Sequence, residues 1–170
     1  RVNKELDLNF YIMNSHHTVA IGTWEGDKQQ SIEYNSSIAV GIDCPRAKLR
    51  VSILLDTIQE YQVRYIFSDE EISEAVNEAG LIIGARGIAY EGVLQRKPVI
   101  VVGEYGFGGL VTPDTLHEQY NNYFRGKING IKAEYFSLER LEEEIRRGFA
   151  LTFQELQMMS NQTIRFLHNI

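Results

Sequence analysis

The 170-residue chain is 44% hydrophobic, which is enough for one compact domain with a core of its own. Its net charge of -6 weighs against nucleic acid as a partner, because binding through a phosphate backbone needs clustered Lys and Arg. No apolar run approaches the roughly 18 to 20 residues that span a bilayer, and the first residues lack a signal-peptide core, so we expect no membrane span and a cytoplasmic location.

The first third of the chain predicts short strands and one helix. Residues 8–13, 18–22 and 38–42 are short apolar runs typical of strands. Over residues 46–61 apolar side chains recur at helical spacing, and the preceding Pro45 suits the first position of a helix. The apolar face of this helix is predicted to comprise Leu49, Ile53, Leu54, Ile58 and Tyr61.

The middle of the chain predicts alternating strands and helices. A strand at 63–67 precedes Ser68, which forms a Ser-x-x-Glu capping box with Glu71 at a helix start. The runs 81–85 and 98–104 are rich in β-branched residues and contain glycine, with a helical segment between them. Strands that are apolar at consecutive positions need cover on both faces, as in a parallel sheet.

The last third predicts two helices after a segment, 117–136, that mixes aromatic, charged and glycine residues. Ser137 and the Thr152-x-x-Glu155 capping box mark the two helix starts. The charges of 139–147 alternate in sign at helical spacing, which is typical of a solvated helix face. The whole order predicts one α/β domain over 1–170, a three-layer Rossmann-like fold with a mostly parallel sheet flanked by helices.

Cysteine and histidine offer no metal site. Cys44 is the single cysteine, so it cannot form an internal disulfide, and no histidine lies near it in sequence to activate a thiolate. The four histidines lack the spacing of structural metal ligands. We expect a buried, inert thiol and neither metal nor other cofactor.

Two glycine-containing turns mark the predicted ligand-binding edge of the sheet. Ligands of open parallel sheets bind outside the carboxyl ends of the strands, where the segments 84–87 and 103–109 are expected. Glycine allows a backbone N–H to approach a ligand oxygen, and a helix start adds a partial positive charge that suits phosphate. The candidate amide donors are Gly87 and Gly106.

Aromatic residues flank the second of these turns. Tyr105 and Phe107 lie on either side of Gly106. They are placed either to form a platform for a base or sugar, or to anchor the loop to the core.

Glu91 lies one turn into the helix predicted between the two strands. Its carboxylate can accept both hydroxyls of a ribose, as acidic residues do in dinucleotide sites. The same position suits a carboxylate that only interacts favourably with the helix dipole. The spacing alone is compatible with both roles.

The segment 63–114 resembles the nucleotide-sugar-binding half of GT-B glycosyltransferases. That family's pattern is a strand, a short helix, a glycine-containing turn, a Glu near a helix start, a G/K-x-P-V-I strand and G-L-V-P-x-D. The matching residues are Gly84, Glu91, KPVI at 97–100 and GLVTPD at 109–114. The resemblance implies an enzyme that transfers a sugar from a nucleotide diphosphate sugar to a glycan or other acceptor, in glycan or polysaccharide synthesis.

The resemblance also implies individual roles. Glu91 would bind the ribose, and Arg86 would neutralise phosphate charge. The turn at 84–87 would lie near the phosphates, and the loop at 103–109 beside the sugar. Backbone amides, Arg86 and Lys48 would stabilise the leaving diphosphate without a divalent metal. The donor-binding residues predicted in this way are Gly84, Arg86, Gly87, Glu91, Gly103, Tyr105 and Gly106.

Two positions depart from the family pattern. Retaining members often carry a second Glu eight positions before the ribose-binding one, and this chain has Ile83 there. The usual basic pair after the first strand is approximated by Arg46 and Lys48. Retaining chemistry is therefore not predicted, and no general base is nominated, because the base of an inverting transfer normally comes from the other domain.

The GT-B resemblance also bears on the number of domains in the whole enzyme and on alternative functions of this chain. GT-B enzymes build the active site between two Rossmann-like domains, so we expect this chain to be the C-terminal, donor-binding half without its N-terminal acceptor domain. The run Gly87-Ile88-x-x-Glu91 also resembles a turn of UDP-N-acetylglucosamine 2-epimerases, so half of such an enzyme is an alternative. A non-catalytic nucleotide-binding or protein-interaction module is another. A dehydrogenase is disfavoured because Gly-x-Gly-x-x-Gly is missing after the first strand.

Overall fold

The computed structural model describes residues 35–169, so the strands predicted at 8–13 and 18–22 lie outside the described residues. Strands and helices alternate along most of this range. The elements are β1 (Ser37–Gly41), α1 (Pro45–Ile58), β2 (Gln62–Tyr65), a 3-10 turn (Asp69–Glu71), α2 (Ile72–Glu78), β3 (Leu81–Gly84), α3 (Gly87–Leu94), β4 (Val99–Gly103), β5 (Gly106–Leu110), α4 (Leu116–Asn121), α5 (Leu138–Phe149) and α6 (Phe153–His168).

The five strands form one mostly parallel sheet in the order β2-β1-β3-β4-β5. The first four strands are parallel, and β5 is antiparallel to β4. Every residue of β3 and β4 is buried, which explains why their sequences are apolar at consecutive positions. Helices α1 and α5 contribute to the core on one face, and α2, α3 and α6 to the core on the other. The three-layer, Rossmann-like α/β prediction is confirmed.

Side-chain caps begin the helices where the sequence predicted them. The capping box of Ser68 and Glu71 is formed at the 3-10 turn that leads into α2. Thr152 and Glu155 form the second box at α6, and the Ser137 side chain accepts a hydrogen bond from the Arg140 backbone at α5. None of the helices within 35–169 is long and apolar enough to cross a bilayer.

The predicted buried face of α1 is wrong at two positions. Leu49 and Ile53 are 61% and 50% exposed, whereas the helix buries Ala47, Val51, Leu54 and Leu55. The helix carries apolar residues on more than one side, so periodicity alone does not identify the side that meets the sheet. The small side chain of Ala47, fully buried, is part of the face that does.

The segment 103–109 is a hairpin and not a loop. Glu104 and Tyr105 form its turn, and β5 follows at once. Three of the five residues of β5 are glycine, which disfavours a strand in sequence-based prediction. Glycine is needed at Gly106 and Gly109, because their φ values are 124° and 77°, which L-residues rarely adopt.

Candidate functional site

The strand order reverses between β1 and β3, and such a reversal opens a crevice at the carboxyl ends of the strands. Gly41 and Gly84 end these two strands and are register partners. A Cβ on Gly84 would lie 2.4 Å from the Gly41 carbonyl oxygen and 2.6 Å from Ile88 of α3. Gly84 therefore allows the first turn of α3 to pack closely on the strand ends.

Gly87 has a different environment from Gly84. It is the first residue of α3, and the nearest atom to a Cβ placed there would be Ile72 Cδ1, at 3.7 Å. Packing does not require glycine at this position. The first N–H groups of a helix have no intrahelical partner, so those of α3 are available to an anion at this edge.

Arg86 lies between β3 and α3 in a backbone conformation that L-residues rarely adopt. Its φ is 56° and its ψ is -124°, and its N–H donates to the Phe124 carbonyl at 3.0 Å. Such strain is typical of functional sites. The Arg86 guanidinium donates to Glu104 Oε1 at 2.6 Å, and this carboxylate raises the pKa of Arg86.

Glu104, in the β4–β5 turn, is shared by two arginines. Arg125 Nε lies 3.3 Å from the same Oε1 atom that Arg86 contacts. The hydrogen bond from Arg86 and the charges of both arginines hold the pKa of the Glu104 carboxyl below its usual value. Side chains of all three are a third to a half exposed. We call Arg86, Glu104 and Arg125 the carboxyl-edge cluster.

Tyrosines surround Arg125. Its guanidinium carbon lies 5.7 Å from the Tyr105 ring centre and 5.4 Å from that of Tyr123, and its Nη1 donates to the Tyr105 hydroxyl at 3.1 Å. Tyr105 is 40% exposed. Phe107, in contrast, is buried and stacks on Phe136 at 4.6 Å, so it anchors the hairpin to the core.

The hairpin glycines make room for the chain segment that carries Arg125. A Cβ on Gly103 would lie 2.4 Å from the Arg125 carbonyl oxygen. Gly106 has a φ of 124°, and a Cβ there would lie 2.6 Å from the Ile131 carbonyl oxygen. Both glycines therefore have a packing role at the predicted ligand edge.

Glu91 lies on the other flank of α3. It is half-buried beside the first turn of α2, accepts a hydrogen bond from Gln95 Nε2 at 2.8 Å and also interacts with the Ser73 side chain. Within residues 35–169 no Lys or Arg forms an ion pair with it. Burial raises the pKa of Glu91, while the two hydrogen bonds oppose that shift. The structure thus brings Arg86, Gly103 and Tyr105 together, with Glu91 apart from them.

The remaining candidates have other partners. Arg46 lies 3.7 Å from Glu134, and the Lys48 ammonium lies 4.2 Å from the centre of the Phe67 ring. Cys44 is a free, partly exposed thiol at the start of α1. In the described part of the chain, no three His, Cys, Asp or Glu side chains are grouped so as to hold a metal ion.

Sequence reasoning missed Glu104 and Arg125. A signal for Glu104 was present, because it is the first charged residue after the β4 run. Arg125 follows α4 in a segment whose pattern has no period, and consecutive positive φ values at Tyr123 and Phe124 turn the chain there. No sequence motif predicts such a turn.

The comparisons with known proteins agree with the fold. No family model and no curated protein matches the chain. A solved structure described as the glycotransferase of kitacinnamycin is similar, with a TM-score of 0.50 and 9% sequence identity. The similarity covers 83% of this chain and 42% of that one, so this chain spans less than half of its structural neighbour. The similarity is therefore one of fold, shared over most of the length of this chain.

Proposed function

We propose that this chain is the donor-binding domain of a GT-B-type glycosyltransferase and binds a nucleotide diphosphate sugar at the carboxyl edge of its sheet. The observation that carries the proposal is the convergence of Arg86 and Arg125 on one point of that edge, 2.6 and 3.3 Å from Glu104 Oε1. A diphosphate at the crevice would meet two guanidiniums and the first N–H groups of α3.

The exposure of the cluster supports an exchangeable anion site. Glu104 is 44% exposed and holds the arginines without being buried by them. Arginine binds phosphate oxygens in the same bidentate way as carboxylate oxygens. In the donor complex the diphosphate takes over contacts that Glu104 makes in its absence. Gly87 contributes the adjacent helix N-terminus.

Glu91 supplies the second half of the donor site in this proposal. Its carboxylate accepts hydrogen bonds from the hydroxyls of the ribose. This is the role that the resemblance to GT-B glycosyltransferases implies for Glu91. A half-buried carboxylate without a cation is costly for the fold, so a ligand role gives a reason for its presence. Tyr105, exposed beside the cluster, is placed to contact the sugar or the base.

The chemistry assigned to this domain is stabilisation of the leaving group. When the bond between the sugar C1 and the diphosphate oxygen breaks, the electron pair stays on that oxygen. Arg86, Arg125 and the α3 amides stabilise the resulting charge. The acceptor oxygen forms the new bond to C1, and its proton passes to a base that we do not place among the described residues. The acceptor, a glycan or another hydroxyl compound, would bind through a second domain.

Calorimetric titration of the 170-residue chain with UDP, GDP, ADP and CMP tests the proposal. We expect one nucleotide to bind selectively, and Glu91→Ala and Arg86→Gln each to weaken its binding at least ~10-fold, since each removes charge-assisted hydrogen bonds. Glu139→Gln is the matched control, because Glu139 is an exposed carboxylate in the first turn of α5.

Three results would speak against the proposal. Equal binding of all four nucleotides would indicate charge attraction without a donor site. Unchanged affinity in Glu91→Ala would remove the ribose role, and equal losses in Glu139→Gln would show a general effect of surface charge. Selective binding by a chain that transfers no sugar even when completed by an acceptor domain would favour the non-catalytic nucleotide-binding module.

A further inference from the structure

A second concave site lies along the outer side of β5, away from the β1–β3 crevice. It is a cavity of about 400 Å³, within the usual size range of small-molecule sites. Residues of α4 and α5 form two of its walls, and the segment 126–131 contributes a third. None of the seven predicted donor-binding residues lines it.

Gly108 and Gly109 of β5 line this cavity. A Cβ on Gly109 would lie 3.6 Å from Glu144 Oε1, and one on Gly108 would contact Gln119. The outward backbone groups of the strand are already satisfied. Gln119 Nε2 donates to the Gly108 carbonyl at 2.8 Å, and the Leu110 N–H donates to Glu144 at 2.9 Å. An added peptide strand would have to break these bonds, so a small molecule fits the cavity better.

The cationic side chains of the cavity outnumber the anionic ones. Arg140, Arg147 and Lys127 line it together with Glu144 and Glu118. Glu144 is only 2% exposed and is committed to the two arginines, at 3.0 Å from Arg140 Nε and 3.4 Å from Arg147 Nη1.

Each guanidinium has donors to spare. A guanidinium carries five N–H groups, and Glu144 engages one nitrogen of each arginine. Both arginine side chains are about half exposed, so their other N–H groups remain accessible. Lys127 is exposed and forms no ion pair within residues 35–169.

We infer that this cavity binds a small polar molecule through an anionic group, a phosphate or a carboxylate. Arg147, Arg140 and Lys127 hold the anionic group, and the side-chain amides of Asn122 and Asn129 contact the polar remainder. Buried Glu144 fixes the two guanidiniums in place before the ligand arrives, which reduces the entropy cost of binding.

Titration of the ¹⁵N-labelled 170-residue chain with inorganic phosphate in one arm and citrate in the other tests the inference by NMR. Gly108, Gly109 and Gly130 report on this cavity, while Gly84, Gly87 and Gly103 report on the crevice. We expect saturable shifts of the first group, with the tighter arm identifying the anion. Lys127→Gln and Arg147→Gln should each lower the affinity measured from these shifts ~10-fold, because each removes one charged donor.

Matched variants separate the two sites. Arg146→Gln removes a neighbouring exposed charge of α5 that does not line the cavity, and it should leave the affinity unchanged. Arg86→Gln should abolish any shifts at the crevice and leave those at the cavity. Failure of the donor-site proposal would thus not affect this result.

The inference is overturned if neither probe gives saturable cavity shifts in the millimolar range, or if Arg146→Gln weakens them as much as Arg147→Gln does. Lys127→Gln keeps the test valid if Arg147→Gln fails to fold, because Lys127 is exposed and unpaired in the described part of the chain. Unchanged shifts in Lys127→Gln together with unchanged shifts in a folded Arg147→Gln would also overturn it.

Discussion

Two carboxylates of this domain each form ion pairs with two arginines. One of these carboxylates is buried, and the other lies at the surface. Glu144 is 2% exposed and binds Arg140, Arg147 and the Leu110 N–H. Glu104 is 44% exposed and binds Arg86 and Arg125. The arginines of both groups are a third to a half exposed, but only the second carboxylate is open to water. Burial makes the first arrangement part of the fold, whereas exposure leaves the second open to exchange with another anion.

Glu91 completes the comparison as a half-buried carboxylate that forms no ion pair within the described residues 35–169. The charge of a carboxylate in this environment does not stabilise the folded protein. Glu144 therefore stabilises the fold, Glu104 holds arginines that another anion can bind, and Glu91 destabilises the folded state. Mutations at each carboxylate should separate these roles.

The largest effect is expected at the buried carboxylate. Glu144→Ala should lower the free energy of unfolding by about 3 kcal/mol, because it leaves the Leu110 N–H unsatisfied and separates two arginines from their shared partner. Urea denaturation measures this change. Exposed Glu143 on the same helix is the control, and Glu143→Ala should stay within about 0.5 kcal/mol of wild type. Equal changes in both variants would remove the distinction between buried and exposed carboxylates on α5.

Glu91→Gln should show opposite effects on stability and binding. Burial raises the pKa of Glu91 above its usual value of 4.5 in the folded protein. The contribution of this group to the free energy of unfolding is therefore fully present below pH 4.5 and is lost as the pH rises through the folded-state pKa. The Gln variant should be the more stable at pH 7, by an amount that shrinks towards zero near pH 4.5. Nucleotide affinity should fall about 30-fold.

Denaturant titrations of both proteins at several pH values measure the first effect, and calorimetry the second. Since other carboxylates titrate alike in the two proteins, the difference between them isolates Glu91. A stability difference that does not change with pH would show that Glu91 is not the source.

Arg86→Gly tests whether the strained backbone serves the guanidinium. Glycine adopts the Arg86 conformation without steric cost, so the Tm should rise by ~2–4 °C while nucleotide affinity falls ~10-fold. Arg86→Lys keeps the charge and the strain, and its Tm should stay close to that of wild type. A lower Tm in the glycine variant would mean that the ion pair with Glu104 outweighs the strain.

The smallest effect is expected at the exposed carboxylate. Glu104→Gln should strengthen nucleotide binding by a factor of about 3–5 at low salt, because it removes a negative charge from the place that the diphosphate would take. The gain should decline as salt screens the exposed charges. Weaker binding in this variant would show that Glu104 positions the arginines for the ligand instead of competing with it.

Much of the fold could be predicted from local sequence patterns. The strands β3 and β4 are buried on both faces, so their apolar runs reveal both their position and their parallel pairing. Capping residues such as Ser68 and Thr152 mark helix starts because they bond to the nearby backbone. The strand β5 could not be found in this way, since Gly106 and Gly109 are required by positive φ values that the local sequence does not reveal.

The candidate site was predictable only where it follows a strand directly. Arg86 comes straight after β3, and topology alone places it at the carboxyl edge. Arg125 reaches the same point only because α4 and two positive-φ residues turn the chain back towards the hairpin. The partnership of Glu144 with Arg140 and Arg147 follows helical spacing, but its burial depends on β5.

The side chains that cover β5 also bear on self-association. β5 ends the sheet, and an apolar, glycine-rich end strand would offer a template for a strand from a second molecule. Its Phe107 and Leu110 N–H groups donate to Ile131 and Glu144, and its Gly108 carbonyl accepts from Gln119. Three residues that follow β5 along the chain thus occupy hydrogen-bonding groups at this edge of the sheet. Loss of the Gln119 or the Glu144 side chain would expose such groups to intermolecular β-pairing and aggregation.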